Sequence, residues 1–230
     1  MIIYGRNPVR EAIRGPRTIA TIWATKQALR EPWLRQGGAR VQTVSAEEIE
    51  RKCGSIDHQG VCAEVSHFVY AHADALLGAR DPLIIVLDQV QDPQNLGSIC
   101  RTAECAGASG VVVPERRAAD VTPAVCKASA GAVEHLQIAR VRNLADFLGE
   151  AKRAGIWCYG ATADASTTYD EVDYGGGVVL ALGSEGRGLR PRVAGACDAL
   201  VSIPMRGRVE SLSVSAAAAI LVYAAVRGRG

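Results

Sequence analysis

The run LIIVLD at 83–88 constrains the fold more than any other feature. Five consecutive large apolar residues cannot alternate between core and water, so a strand here must be covered on both faces. VVLAL at 178–182 and GVVVP at 110–114 read the same way, with further strands expected near 136–140, 156–160 and 200–204. Helices are expected between them at 96–106, 121–130 and 143–153, the last capped by Asn143, and SLSVSAAAAILVYAAV at 211–226 reads as a terminal helix capped by Ser211. Strands alternating with helices imply crossover connections and a parallel sheet, whose ligand-binding loops lie beyond the carboxyl ends of the strands.

A smaller α/β unit precedes this pattern. It reads as a helix at 7–14 with Asn7 as cap, a strand at 18–24, a helix at 27–37 and a strand at 41–44. A helix opened by Ser45 and Glu48 as a capping box and a strand at 61–65 complete it. Over residues 1–65 there are 10 lysines and arginines against 7 acidic residues, with Arg6, Arg10, Arg14 and Arg17 at one end. Such a set is either an ordinary solvated face or a phosphate-contacting one, and composition does not choose. The stretch 66–82 lacks periodicity and ends in Asp81-Pro82, so the chain divides into a domain at 1–68, a linker at 69–82 and a domain at 83–230.

Composition narrows the class. Hydrophobic residues are 48% and charged residues 22%, which argues against disorder, and the net charge of +2 neither announces nor excludes a nucleic-acid partner. No apolar run reaches the length of a membrane span, and charges interrupt the N-terminus where a secretory signal needs an apolar stretch. A cytoplasmic protein without membrane association is therefore expected. The seven cysteines, at 53, 62, 100, 105, 126, 158 and 197, form no CxxC pair and sit mostly in apolar surroundings, as reduced core fillers do. The four histidines never reach metal-ligand spacing, so no metal site is expected.

Three carboxyl-edge loops carry chemistry. In LDQVQDPQNLGSICRTAE, Asp92-Pro93 forces a turn, Asn95 is placed as a helix cap and Arg101 lies near the second turn. This is either capping plus a surface arginine or an anion site. In VVLALGSEGRGLR, Gly183, Gly186 and Gly188 match neither a dinucleotide fingerprint nor a P-loop, yet they let a ligand approach bare backbone, with Glu185 as an acceptor. In VSIPMRGRVESLSVSAAAAILVY, a strand ends at Ile203-Pro204 and a loop with Arg206 and Arg208 leads into an Ala-rich helix. Together they suit a nucleotide-like ligand.

In this order, DPQNLGSICRTAE, LALGSEGRGL and IPMRGRVESLSVSAAAAI resemble the three motifs of the SpoU (TrmH) branch of the SPOUT RNA methyltransferases. IYGRNPVREAI and HQGVCAEV (58–65) resemble the opening and closing segments of the small substrate-binding domain found in enzymes that methylate a guanosine ribose of 23S rRNA. The resemblance implies an N-terminal RNA-binding domain, and a C-terminal parallel-sheet SPOUT domain whose chain is threaded as a deep trefoil knot. It further implies S-adenosylmethionine as cofactor, a homodimer, and methyl transfer to a ribose 2′-hydroxyl. Carried over by motif position, Leu182, Gly183, Ile203, Met205 and Leu212 would contact the cofactor, and Asn95, Arg101, Glu185 and Ser211 would form the catalytic set. The third motif departs from the family pattern S-L-N-V-S, since Ser213 stands where an Asn is expected. Two alternatives remain beside the rRNA reading: a tRNA ribose methyltransferase, and an RNA-binding ribosome assembly factor without turnover, which Ser213 would favour.

Overall fold

The computed structural model describes residues 1–36, 38–209 and 211–229. Gly37, Glu210 and Gly230 fall in the helix expected at 27–37, the third motif and the end of the expected second domain, and lie outside the described residues.

Residues 1–65 form β1 (Ile2–Tyr4), α1 (Arg6–Arg14), β2 (Ile19–Ala24), β3 (Arg40–Thr43), α2 (Ala46–Cys53) and β4 (Val61–Val65). Their sheet runs β1-β4-β2-β3, with β4 antiparallel to both neighbours and β2 parallel to β3. Ser45 caps α2 by accepting from Glu48 N at 3.3 Å, as its spacing predicts. Two expectations fail. The helix at 27–37 is two short 3-10 turns, Ala28–Arg30 and Pro32–Arg35, because Pro32 cannot donate to a continuing ladder. Asn7 is not a cap either, since α1 starts one residue earlier and Gly5, with φ of 95°, takes the cap position.

The stretch 66–82 is docked along the large sheet. Ala71 N donates to Ile138 O at 2.9 Å, and α3 (Ala73–Leu77) buries Leu76. Beyond it come β5 (Leu83–Asp88), α4 (Pro93–Cys105), β6 (Gly110–Pro114), α5 (Pro123–Ala128), β7 (Ile138–Val141) and α6 (Leu144–Arg153). The rest of the chain adds β8 (Trp157–Ala161), β9 (Val178–Gly183), α7 (Pro191–Ala194), β10 (Ala199–Val201) and α8 (Val214–Gly228). The six strands are all parallel, in the order β10-β8-β9-β5-β6-β7.

The reason for the LIIVLD run is visible in its packing. All six residues of β5 are buried. Leu83, Ile85 and Leu87 join one cluster with Leu96, Ile99 and Leu221 of α4 and α8. Ile84 and Val86 point the other way, into a cluster with Leu144, Phe147 and Leu148 of α6. A period of two with both faces covered makes every position apolar.

The two sheets share the first cluster. Arg17 reaches across to Glu134 in a bidentate pair, with Nε–Oε2 at 2.8 Å and a second contact to Oε1. The Arg17 side chain is 6% exposed and that of Glu134 0%. His135 pairs with Glu11 at 3.1 Å, and Lys127 Nζ donates to Asp57 O at 2.7 Å.

Candidate active site at the carboxyl edge of the large sheet

The chain runs outward from β5 to β6 and β7, then returns to the other side of β5 with β8, β9 and β10. That reversal opens a crevice at the carboxyl ends of β5 and β9, where parallel sheets bind ligands. The two strand ends are level, because Asp88 is in register with Gly183.

Asp88 anchors this edge. It is fully buried, and its Oδ2 accepts from Arg190 N at 2.9 Å while Oδ1 accepts from Arg190 Nε at 2.8 Å. The loop between β9 and Arg190 folds back on itself: Gly188 N donates to Ser184 O at 2.9 Å. Gly183 lies directly beneath Gly188, and a Cβ there would sit 1.9 Å from the Gly188 carbonyl carbon. Gly186 and Gly188 have φ of 76° and 63°, which L side chains rarely adopt.

Glu185 ties the three loops together. Its Oε1 accepts from Asn95 Nδ2 at 3.1 Å and from Val214 N, the first residue of α8, at 3.2 Å. A carboxylate at that end of α8 also complements the helix dipole. The true caps differ from the expected ones. Asp92 caps α4 by accepting from Gln94 N at 3.0 Å, because Pro93 occupies the first helical position, and Asn95 is thereby freed to face Glu185. Ser213, not Ser211, caps α8, accepting from Ala216 N at 3.2 Å. Asn and Ser are about equally good caps, so serine in the third motif preserves the start of this helix.

Beneath these contacts lies a cleft of about 340 Å³. The expected ligand-contacting residues Leu182, Gly183, Ile203, Met205 and Leu212 all line it, together with Glu185 and Ser211. Asn95 lines an adjoining cavity that shares Ser184, Glu185, Arg187 and Val214 with the cleft. Sequence reasoning missed the rim from Ala161 to Asp164, Arg187, and the Asp88 anchor. The rim was legible in principle, since β8 ends at the same sheet edge. The Asp88 contact spans 102 residues and no local pattern signals it.

Arg101 stands apart from this assembly. It is exposed on α4 and lines neither cavity. Six residues beyond Asn95, it is rotated by about 120° around the helix axis from the side that meets Glu185. Cys62, Cys100, Cys126 and Cys158 are buried core residues, Cys53 and Cys197 are half-buried, and Cys105 is exposed. Burial pushes the thiols of Cys62, Cys100 and Cys158 up to about 12 and those of Cys126 and Cys197 to about 11, which keeps them protonated and poorly nucleophilic.

The family model for the SpoU rRNA methylase family matches residues 82–223, and that for the RNA 2′-O ribose methyltransferase substrate-binding domain matches residues 2–71. The chain belongs to the SpoU rRNA methylase family. It is 37% identical to the TrmH-family protein YacO of Bacillus subtilis (strain 168), over 99% of this chain and 95% of the relative. Among solved structures, an AdoMet-bound rRNA methyltransferase from Sinorhizobium meliloti superposes with a TM-score of 0.83 at 28% identity, covering 98% of this chain and 86% of that one. The A. aeolicus TrmH/SpoU tRNA modifying enzyme gives a TM-score of 0.58 at 29% identity, covering 68% of this chain and 79% of that one. The second and third segments that resemble SpoU motifs thus line the cleft, and the first reaches them through the Asn95–Glu185 contact. Among the described residues no helix is long and apolar enough to cross a membrane.

Proposed function

We propose that this chain transfers a methyl group from S-adenosylmethionine to a ribose 2′-hydroxyl in RNA, on a guanosine of 23S rRNA, in the cytoplasm. The observation that carries the reading is the meeting of the three motif loops at Glu185, which accepts from Asn95 and from Val214 N, beside a cleft lined by the second and third of them. The rRNA choice is supported by the substrate-binding domain match at 2–71 and by a fuller superposition on an rRNA methyltransferase, over 98% of this chain, than on a tRNA modifying enzyme, over 68%.

The cleft fits the cofactor. Its volume is at the lower end of the roughly 300–1,000 Å³ usual for small-ligand sites. Leu182, Ile203, Met205 and Leu212 offer apolar contacts, and Gly183 and Gly188 expose bare backbone for hydrogen bonds. Glu185 and Asp164 supply negative charge suited to a cationic ligand. Bound there, S-adenosylmethionine supplies an electrophilic methyl on sulfur.

The chain's remaining task is to hold the 2′-hydroxyl and manage one proton. Asn95, Glu185 and Ser211 are the polar groups that orient the nucleotide at the cleft. A guanidinium scarcely deprotonates, so Arg101 acts by fixing a phosphate and stabilising negative charge that develops on the 2′-oxygen. Its position outside its own cleft supports a homodimer in which Arg101 serves the partner's site. Tyr223 of α8, half-exposed, is an aromatic side chain that a subunit contact would cover. Trefoil threading belongs to this reading. It is supported by α8, which returns to pack on α4 and β9 after β10 has joined the far edge of the sheet.

The test is methyl transfer by purified protein from labelled S-adenosylmethionine to 23S rRNA and to bulk tRNA, with the product mapped by primer extension. A 2′-O-methylguanosine in 23S rRNA is expected. Label in tRNA alone overturns the rRNA assignment, and tight cofactor binding with no transfer to either overturns the enzymatic one.

A further inference from the structure

A further cavity, of about 630 Å³, opens beyond the carboxyl ends of β6 and β7. It lies at the same sheet edge as the cleft, on the opposite side of β5. Five arginines line it: Arg116 and Arg117 after β6, Arg142 after β7, and Arg190 and Arg192 at the start of α7. Arg190 is held by Asp88, and Arg192 by Asp146 at 3.2 Å. Arg116, Arg117 and Arg142 are exposed and make no salt bridge with any described residue, and Glu115 is the one carboxylate of the lining outside those pairs.

Uncompensated guanidinium groups around one depression repel each other and raise the local concentration of anions. Their planar forks match phosphate oxygens. The ten-residue helix α6 begins at the cavity, with Asn143 as its cap, and adds the positive end of its dipole. Arg117 is held in the left-handed region, with φ of 61°, a strained conformation of the sort that clusters at ligand sites. The lining has no aromatic side chain on which a base could stack, so the cavity suits phosphate rather than base recognition. It is also continuous with the cleft along the chain, since Arg187 lines the cleft and Arg190 lines this cavity.

We propose that this arginine cavity binds the phosphate backbone of the RNA substrate, on one flank of the nucleotide delivered to the cleft. The inference rests on the RNA-methylating reading above and adds to it a sequence-independent contact made by the large sheet rather than by the N-terminal domain.

The test is binding of the full-length protein to a 23S rRNA transcript across a potassium chloride series, for the parent and for a triple variant, Arg116→Gln with Arg117→Asn and Arg142→Gln. Asn is chosen at 117 because it tolerates positive φ. Each phosphate contact to a single strand contributes about 0.7 to the slope of log affinity against log salt, so the slope should become shallower by about 2. RNA affinity at low salt should fall at least about tenfold and the KM for RNA should rise accordingly, while calorimetric affinity for S-adenosylhomocysteine stays that of the parent. Glu115→Gln should shift RNA affinity in the opposite direction. A triple variant with the parent's slope and KM overturns the proposal, and so does one that loses S-adenosylhomocysteine affinity in parallel with RNA. The parent separates this from the underlying reading: if it binds and methylates tRNA instead, the same series on tRNA decides the cavity, and if it binds no RNA, both readings fall.

Discussion

Replacing Gly183 with alanine should break the cleft from beneath. The added methyl would lie 1.9 Å from the carbonyl carbon of Gly188, 2.1 Å from its oxygen and 2.2 Å from Leu189 N. All three are backbone atoms, so no side-chain rotation relieves the clash. Restoring ordinary contact requires the 188–189 backbone to retreat by about 1.5 Å, the gap between 1.9 Å and the 3.4 Å lower limit of relaxed Cβ contacts. That retreat breaks the Gly188–Ser184 hydrogen bond and pulls on Arg190, which is fixed to Asp88. Overpacking costs about 1–3 kcal/mol and the lost hydrogen bond about 1 kcal/mol, for a total of roughly 2–4 kcal/mol. For a chain of this size, that lowers Tm by roughly 4–16 °C. Affinity for S-adenosylhomocysteine should fall at least about tenfold, since 1.4 kcal/mol of distortion suffices for that. Gly176→Ala is the control: its φ is also positive, at 73°, but no atom lies within 4 Å of the added methyl. It should lose only about 1–2 kcal/mol and leave affinity unchanged. A Gly183→Ala protein that melts and binds like the parent would falsify the close approach as the basis of the cleft.

Arg101→Ala should reduce methyl transfer by more than about a hundredfold, the scale of losing one transition-state charge contact. Thermal stability and S-adenosylhomocysteine affinity should hold, because Arg101 is exposed and lines neither cavity; near-normal turnover would remove it from the mechanism. Arg17→Met leaves the fully buried Glu134 side chain without its partner and should cost about 3–5 kcal/mol in a denaturant titration. Adding Glu134→Leu should recover much of that loss, and a double variant no better than the single one would show that the pair contributes by shape rather than by charge.

The parts legible in the sequence were those with one dominant cause. Continuous apolar runs located β5, β6 and β9 because burial on both faces leaves no other pattern. Ser45 and Asn143 were legible as caps because each stands alone before its helix. The expected caps Asn95 and Ser211 give way to neighbours: Pro93 at the first helical position makes Asp92 the cap of α4, and the helix start at Val214 makes Ser213 the cap of α8. The helix expected at 27–37 does not survive Pro32, whose missing donor separates two short 3-10 turns. The short β1 leaves no readable pattern, because three residues are too few for alternation to stand out. In the site, glycines and polar residues marked which loops matter, but their partners did not show. Glu185 and Asn95 are 90 residues apart, and only the return of the chain across β5 makes them neighbours.

The Asp88–Arg190 contact also bears on the order in which this molecule can mature during synthesis. Asp88 leaves the ribosome about a hundred residues before the group that neutralises it, and the α8 residues that cover β5 and α4 come later still. Until then the growing chain carries an unmet charge and an uncovered apolar face, while its N-terminal sheet has every strand it needs. The N-terminal sheet can therefore form early, whereas the cleft must wait for Ser211, Leu212 and the start of α8, which supply its last wall.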